Sequence, residues 1–170
     1  MESKVQNVNY KGSLDKRIDL HKMLIFAFAK LCNYPFQLTI KDDAGTLMFF
    51  SSGKYRLMGF KTEDDLEATC VVYKYTKFID PEYIPSLVLQ SMTVKSHFGK
   101  CINLHKLSQL IESRLELELF PCLTIRKYKP VSVNVFATGS IIMCGIKDIE
   151  FSKSILSELK PLMTLCIIPA

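Results

Sequence analysis

The chain has 170 residues, 48% of them hydrophobic, enough to bury a core without help from metals or disulfides. No apolar run reaches the ~18 residues of a membrane-spanning helix. The six cysteines form no CxxC or Cys-His ligand spacing and the seven glycines stand singly, which argues against a membrane span, a zinc site and a phosphate-cradling loop. The formal charge of +5 is compatible with a polyanionic partner, but charge of this size does not by itself require one.

In chain order, residues 5–10 read as a short extended segment, and residues 20–31 as a helical stretch. Three strand candidates follow at 36–41, 46–50 and 55–60. Asp42-Asp43-Ala44-Gly45 and Ser51-Ser52-Gly53-Lys54 separate them with hairpin-turn chemistry. Thr62-Glu63-Asp64-Asp65 then opens a second helix, with a capping hydroxyl and carboxylates suited to the helix dipole. The pattern restarts with an extended segment at 87–94. A helix from Leu104 to about Leu117 places Leu104, Leu107, Leu110 and Ile111 on one face, and Lys147-Asp148-Ile149-Glu150 precedes a last helix over 151–162. The apolar tail from Met163 to Ala170 is expected to form a last strand or cap a helix. With no signal peptide pointing to an oxidising compartment, the cysteines are expected to be free, buried thiols.

The restart is a duplication. Phe50-Ser51-Ser52-Gly53 and Phe136-Ala137-Thr138-Gly139 lie 86 residues apart, as do Gly59 and Gly145, and Lys61 and Lys147. Leu20-His21-Lys22 recurs as Leu104-His105-Lys106 at an offset of 84, and Leu38-Thr39-Ile40 as Leu123-Thr124-Ile125 at 85. A collinear set with drifting offset means two copies of one supersecondary unit, 1–85 and 86–170, with indels in loops. Two strand-helix-strands-helix units predict an α+β fold: one antiparallel sheet with helices on one face and the other face left for solvent or a ligand. No nucleophile, base and orienting group share a spacing. His21 and His105 are repeat mates at helix starts, so a structural role is expected for them and no enzymatic activity for the chain.

The run Glu116-Leu117-Glu118-Leu119-Phe120-Pro121-Cys122-Leu123, followed by Arg126, Lys129-Pro130 and Phe136-Ala137-Thr138-Gly139, resembles the second repeat of the TATA-binding protein family. Phe50-Ser51-Ser52-Gly53-Lys54, Lys61-Thr62-Glu63-Asp64-Asp65 and Gln6-Asn7 are similar to its first repeat. The resemblance covers nearly the whole chain. It implies a saddle whose concave sheet sits on the DNA minor groove and whose helices form the convex face. It also implies a transcription initiation factor that bends A-T-rich promoter DNA with aromatic wedges, a mode for which this family is itself the standing example. No cofactor is implied. The site of action would be the nucleus, or a viral transcription site if the chain came from a large DNA virus.

Carried over position by position, the wedges are Phe120 and Phe136 in the second repeat and Phe50 in the first, with either Tyr34 or Phe36 as the fourth. Asn7 matches a groove-reading asparagine, with Ser91 at its partner position. Arg126 matches a phosphate-contacting arginine with Lys41 as its repeat mate, and Lys54 a basic turn residue with Ser140 opposite. Arg56 and its repeat mate Ile142 fall on strands expected to touch the groove. Asn9, Thr93, Arg56 and Asn134 stand where the family has small apolar groups, and Met58 and Cys144 where it has threonine. Such a face either lets Arg56 enter a narrow A-T groove or weakens sequence reading, leaving a protein-interaction scaffold on the same fold. Glu116, Glu118 and Leu119 match residues that bind a factor-IIB-like protein. Residues 71–74 align with a more basic stretch linked to a factor-IIA-like protein, with Lys74 and Lys77 as substitutes. Exposed aromatics on the concave face would also favour a homodimer off DNA.

Overall fold

A computed structural model describes residues 1–33, 36–61 and 65–169. Two compact units emerge: Asn7–Gln90, the first unit, and Met1–Gln6 with Ser91–Ala170, the second. In the first, β1 (Ser3–Ser13), whose first residues up to Gln6 group with the second unit, leads into a short 3-10 helix at Leu20–Ile25. Then come β2 (Ala29–Asn33), β3 (Phe36–Asp42), β4 (Gly45–Phe50), β5 (Lys54–Phe60) and α1 (Asp65–Thr76). The strand order is β2-β3-β4-β5-β1, all antiparallel. The second unit repeats the plan with β6 (Val88–His97), α2 (Leu104–Ser108), β7 (Ser113–Leu115), β8 (Cys122–Ile125), β9 (Ser132–Phe136), β10 (Ser140–Ile146) and α3 (Ile149–Leu165). Its order is β6-β10-β9-β8-β7.

Alternation along the strands divides each half-sheet into a core face and an open face. Leu38, Ile40, Leu47, Phe49, Tyr55 and Leu57 are buried in the first unit, and Leu123, Ile125, Val133, Val135, Ile141 and Met143 in the second. Burying one such side chain stabilises by about 1.5–3 kcal/mol, so the register that places these residues inside also fixes which residues face out. In α3, Ser152, Ile155, Leu156, Leu159 and Met163 recur at helical spacing and are buried. Asp148 caps this helix by accepting from the Glu150 N–H.

The first helices of both repeats are much shorter than the sequence predicts. Residues 20–31 yield a short 3-10 helix and then β2. Residues 104–117 yield α2 and then β7. In the first unit the helical run ends at Ile25, capped by an extended Phe26 whose N–H donates to the Met23 carbonyl, and Phe28 at φ 62° turns the chain into β2. Pairing with β3 and β8 then satisfies the backbone beyond each turn. The tail forms a single bridge, Ile167 with Ile102. The six cysteines are free, but only Cys122 and Cys166 are buried; Cys70 and Cys101 are exposed. The expected cap Thr62-Glu63-Asp64 lies outside the described residues.

Candidate nucleic-acid interface

Both Phe-x-x-Gly signatures form the same turn. The Gly53 N–H donates to the Phe50 carbonyl and the Gly139 N–H to the Phe136 carbonyl, each at 2.9 Å. Each turn is pinned to the segment after the unit's leading strand. Leu14 N–H donates to Gly53 O and Ile18 N–H to Ser51 O; Phe98 N–H and Ile102 N–H do the same for Gly139 O and Ala137 O. Both glycines have positive φ and approach a backbone carbonyl too closely for a Cβ, Gly53 at Lys16 and Gly139 at Lys100. These turns fix where Phe50 and Phe136 leave their strands, both half-buried and on the open face.

In the second unit Cys122 pairs with Phe136 across β8 and β9, and Phe120 reaches the same spot from the loop before β8. The Phe120 and Phe136 rings lie 6.3 Å apart at 63°, and Phe120 is 53% exposed, so this aromatic pair is presented to solvent and not consumed by the core. In the first unit Gln37 is the residue opposite Phe50. Phe36 falls on the other side: it shares the parity of Leu38 and its ring lies 6.2 Å from that of His21, in the 3-10 helix. Phe36 is therefore not a partner of Phe50, because one residue of register moves a side chain across the sheet. The alternative, Tyr34, lies outside the described residues.

Across the middle of the first open face runs the row Lys30, Thr39, Met48, Arg56, Lys11. Its counterpart in the second unit is Thr124, Asn134, Ile142, Lys95. Arg56 thus faces outward between the buried Tyr55 and Leu57. The Thr124 hydroxyl donates to Asn134 Oδ1 at 2.9 Å, leaving the Asn134 amide as the outward donor. Asn7 Oδ1 accepts from the Gly59 N–H at 2.9 Å, where Met58 and Gly59 bulge opposite Asn9. That bond leaves the Asn7 NH₂ group available to an acceptor. Ser91, on the matching strand of the second unit, is half-buried. Lys41 and Arg126 occupy equivalent exposed positions after buried Ile40 and Ile125, and Lys54 is exposed beside Phe50 in its turn. Lys11, Lys30, Lys95 and Thr124 were not picked out from sequence as site residues, and Asn134 only as a departure from the family, although strand alternation combined with the repeat offset marks them.

Arg114, Glu116, Leu119, Phe120, Thr124 and Arg126 line a groove of about 280 Å³. Glu116 is ion-paired with Arg114, whose hydrogen bond holds its carboxyl below the usual carboxylate range, with Arg126 adding to the effect. Glu118 and Leu119 project freely, Leu119 at 77% exposure, which makes them the more available part of the predicted dock. Within the factor-IIA-like stretch, Val72 is buried and Lys74 is bound to Asp42 at 3.0 Å, leaving Lys77 exposed.

The family model described as transcription factor TFIID, or TATA-binding protein, matches residues 86–165. A TATA-box-binding protein of Methanococcus aeolicus is 30% identical over 125 residues, 71% of this chain and 69% of that protein. The chain belongs to the TATA-box-binding protein family. A Methanococcus maripaludis TATA-box-binding protein is 31% identical over 134 residues, 72% of each chain. The TATA box-binding protein-like 2 of Rattus norvegicus is 28% identical over 160 residues, and the match spans 85% of this chain but only 44% of that protein. The solved structure of Methanococcus jannaschii TBP superposes with a TM-score of 0.83 over 97% of this chain and 99% of its own, at 25% identity. The α+β fold is therefore that of the TATA-box-binding protein family, a family of DNA-binding transcription factors that are not enzymes. Among the described residues there is no helix long and apolar enough to cross a membrane, and no cluster of metal-ligating side chains.

Proposed function

We propose that this chain binds A-T-rich promoter DNA in the minor groove through its two open faces, bends it with aromatic wedges, and recruits a factor-IIB-like protein through Glu118 and Leu119. The observation that carries the reading is the Phe120–Phe136 pair, two edge-to-face rings of which Phe136 is set by the pinned turn and Phe120 by the loop before β8, with Phe120 exposed to solvent. An aromatic ring driven between base pairs replaces part of the stacking it breaks, and the bent duplex then covers more of the protein. A-T steps suit such a face because no guanine amino group obstructs the groove floor. Exposed Lys11, Lys41, Lys54 and Arg126 supply phosphate contacts, whose counterion release makes binding salt-dependent. The Asn7 and Asn134 amides, each with its oxygen already bonded within the protein, supply donors to adenine N3 and thymine O2.

Energy transfer between dyes at the two ends of a short duplex tests this. Strong bending of an A-T duplex, absent from a G-C duplex and abolished by Phe120→Ala/Phe136→Ala, is the expected result. Weak, equally salt-sensitive binding to both duplexes, untouched by the double substitution, would favour the second reading. That reading is a protein-interaction scaffold with little sequence preference, and the polar groups in the middle rows, Arg56 above all, are what recommend it.

A further inference from the structure

In the second unit Thr124 on β8 and Asn134 on β9 face each other across the open side, both half-buried. The Thr124 hydroxyl donates to Asn134 Oδ1 at 2.9 Å, which turns the Asn134 NH₂ group outward beside the hydroxyl oxygen. The Cys122 thiol lies 3.8 Å from that oxygen and can engage one of its lone pairs, leaving the other as an acceptor. The couplet thus presents a donor and an acceptor side by side. Turning the amide over only exchanges the roles: the Asn134 NH₂ group then donates to Thr124, while the asparagine oxygen accepts and the threonine O–H donates outward. At the matching positions of the first unit Thr39 faces Met48, which carries no donor.

On the minor-groove floor an A·T pair shows only acceptors, adenine N3 and thymine O2, whereas a G·C pair adds the guanine N2 amino donor. Against A·T the donor of the couplet is met, but its acceptor is left facing other acceptors, which a closed interface penalises. Against G·C both are met: the donor bonds guanine N3 or cytosine O2, and the acceptor receives the amino group. Asn134 is also shorter than the methionine at the matching position, so the amino group has room. We propose that the Thr124–Asn134 couplet is a specificity element that takes a G·C pair in preference to A·T at the one base pair it covers, within an otherwise A-T-rich site. This rests on the minor-groove reading above and adds to it a single position at which guanine is read; elsewhere on the two faces the amino group remains an obstacle.

The test uses the full chain and a set of short duplexes, dyed at both ends, in which an A-T site carries one G·C pair at each position in turn, in either sense. Competition against the all-A-T duplex gives an affinity ratio for every position, and energy transfer reports bending. In wild type one position should favour G·C by on the order of tenfold, the lower range of what a two-bond base contact discriminates, and the others should disfavour it. Inosine in place of guanine at that position removes only the N2 amino group and should abolish the preference. Asn134→Met, which copies the residue facing Thr39 in the first unit, should turn the preference into a penalty when the ratio is taken within the variant. A penalty at every position in wild type, inosine as good as guanine, or a favoured position unmoved by Asn134→Met would each overturn the assignment while bending of the all-A-T duplex stands. Absence of that bending in wild type would overturn the minor-groove reading itself, and the couplet's role with it.

Discussion

Replacing Gly139 by alanine tests whether the Phe-x-x-Gly turn is held by close backbone contact. At φ +85° an added Cβ costs about 1–2 kcal/mol through its own clash with the backbone. It would also stand 2.3 Å from the Lys100 carbonyl oxygen, against the 3.0 Å below which such contacts essentially never occur. The turn must withdraw, which sacrifices the bond from Phe98 N–H to Gly139 O at 2.8 Å, worth about 1–1.5 kcal/mol. The total is about 3 kcal/mol. For a chain of this size that lowers the melting temperature by about 6–12 °C. Gly99 is the internal control: its φ is +88°, but nothing lies within 4 Å of an added Cβ. Gly99→Ala should therefore cost only about 1–2 kcal/mol. Urea titrations of both variants decide the matter, and equal losses would refute the close-contact argument.

The remaining predictions use other parts of the molecule. Phe49→Ala, at a fully buried site, should cost about 3–5 kcal/mol in urea unfolding; a loss under 1 kcal/mol would mean the core is misassigned. Lys54→Ser, which copies Ser140, should reduce the slope of log affinity against log salt by about 0.9 on an A-T duplex. An unchanged slope would remove Lys54 from the phosphate contacts. Glu118→Lys/Leu119→Ala should leave duplex bending intact and weaken the ternary complex with a factor-IIB-like protein in gel-shift titrations, and an undiminished complex would move the dock elsewhere. Burial alone would raise the Asp42 carboxyl, but hydrogen bonds from Tyr75, Lys74 and the Ala44 N–H outweigh it and hold the group below 3.8. A depressed carboxyl stabilises the fold above its ordinary value and ceases to do so as pH falls through the lowered one. The stability advantage of wild type over Asp42→Asn should thus be steady near neutrality and fade on acidification below 3.8; an advantage independent of pH would contradict the sign.

Features set by local chemistry or by the repeat were legible in the sequence. The hairpin turns after β3 and β4, the core alternation of β3 to β5 and the capping role of Asp148 all follow from residue type and spacing. Edge strands were not legible. Ala29-Lys30-Leu31 continues an apolar run that reads as helix, and β7 is only three residues long, so pairing with a neighbour decides both conformations. The alternative between Tyr34 and Phe36 was left open in the sequence for a related reason. Pairing of Gln37 with Phe50 sets which residues share Phe50's face, and no count along the chain includes that pairing. The Thr124–Asn134 bond is likewise cross-strand and invisible to local spacing.

A duplicated fold carries its own control, because whatever both copies keep is what the architecture requires. On the core side the copies exchange residues freely within the apolar class. Phe49 and Tyr55, paired across β4 and β5 with rings 5.7 Å apart, become Val135 and Ile141, paired across β10 and β9. The turn glycines and the bulges at Gly59 and Gly145 are kept. On the open side the exchanges cross class boundaries: Arg56 against Ile142, Met48 against Asn134, Lys54 against Ser140, Asn7 against Ser91. None of these is explained by packing, since each side chain is wholly or partly exposed. The core therefore constrains one face of each copy and leaves the open face free to differ, so the open-face differences are where substitutions can be made without disturbing the fold.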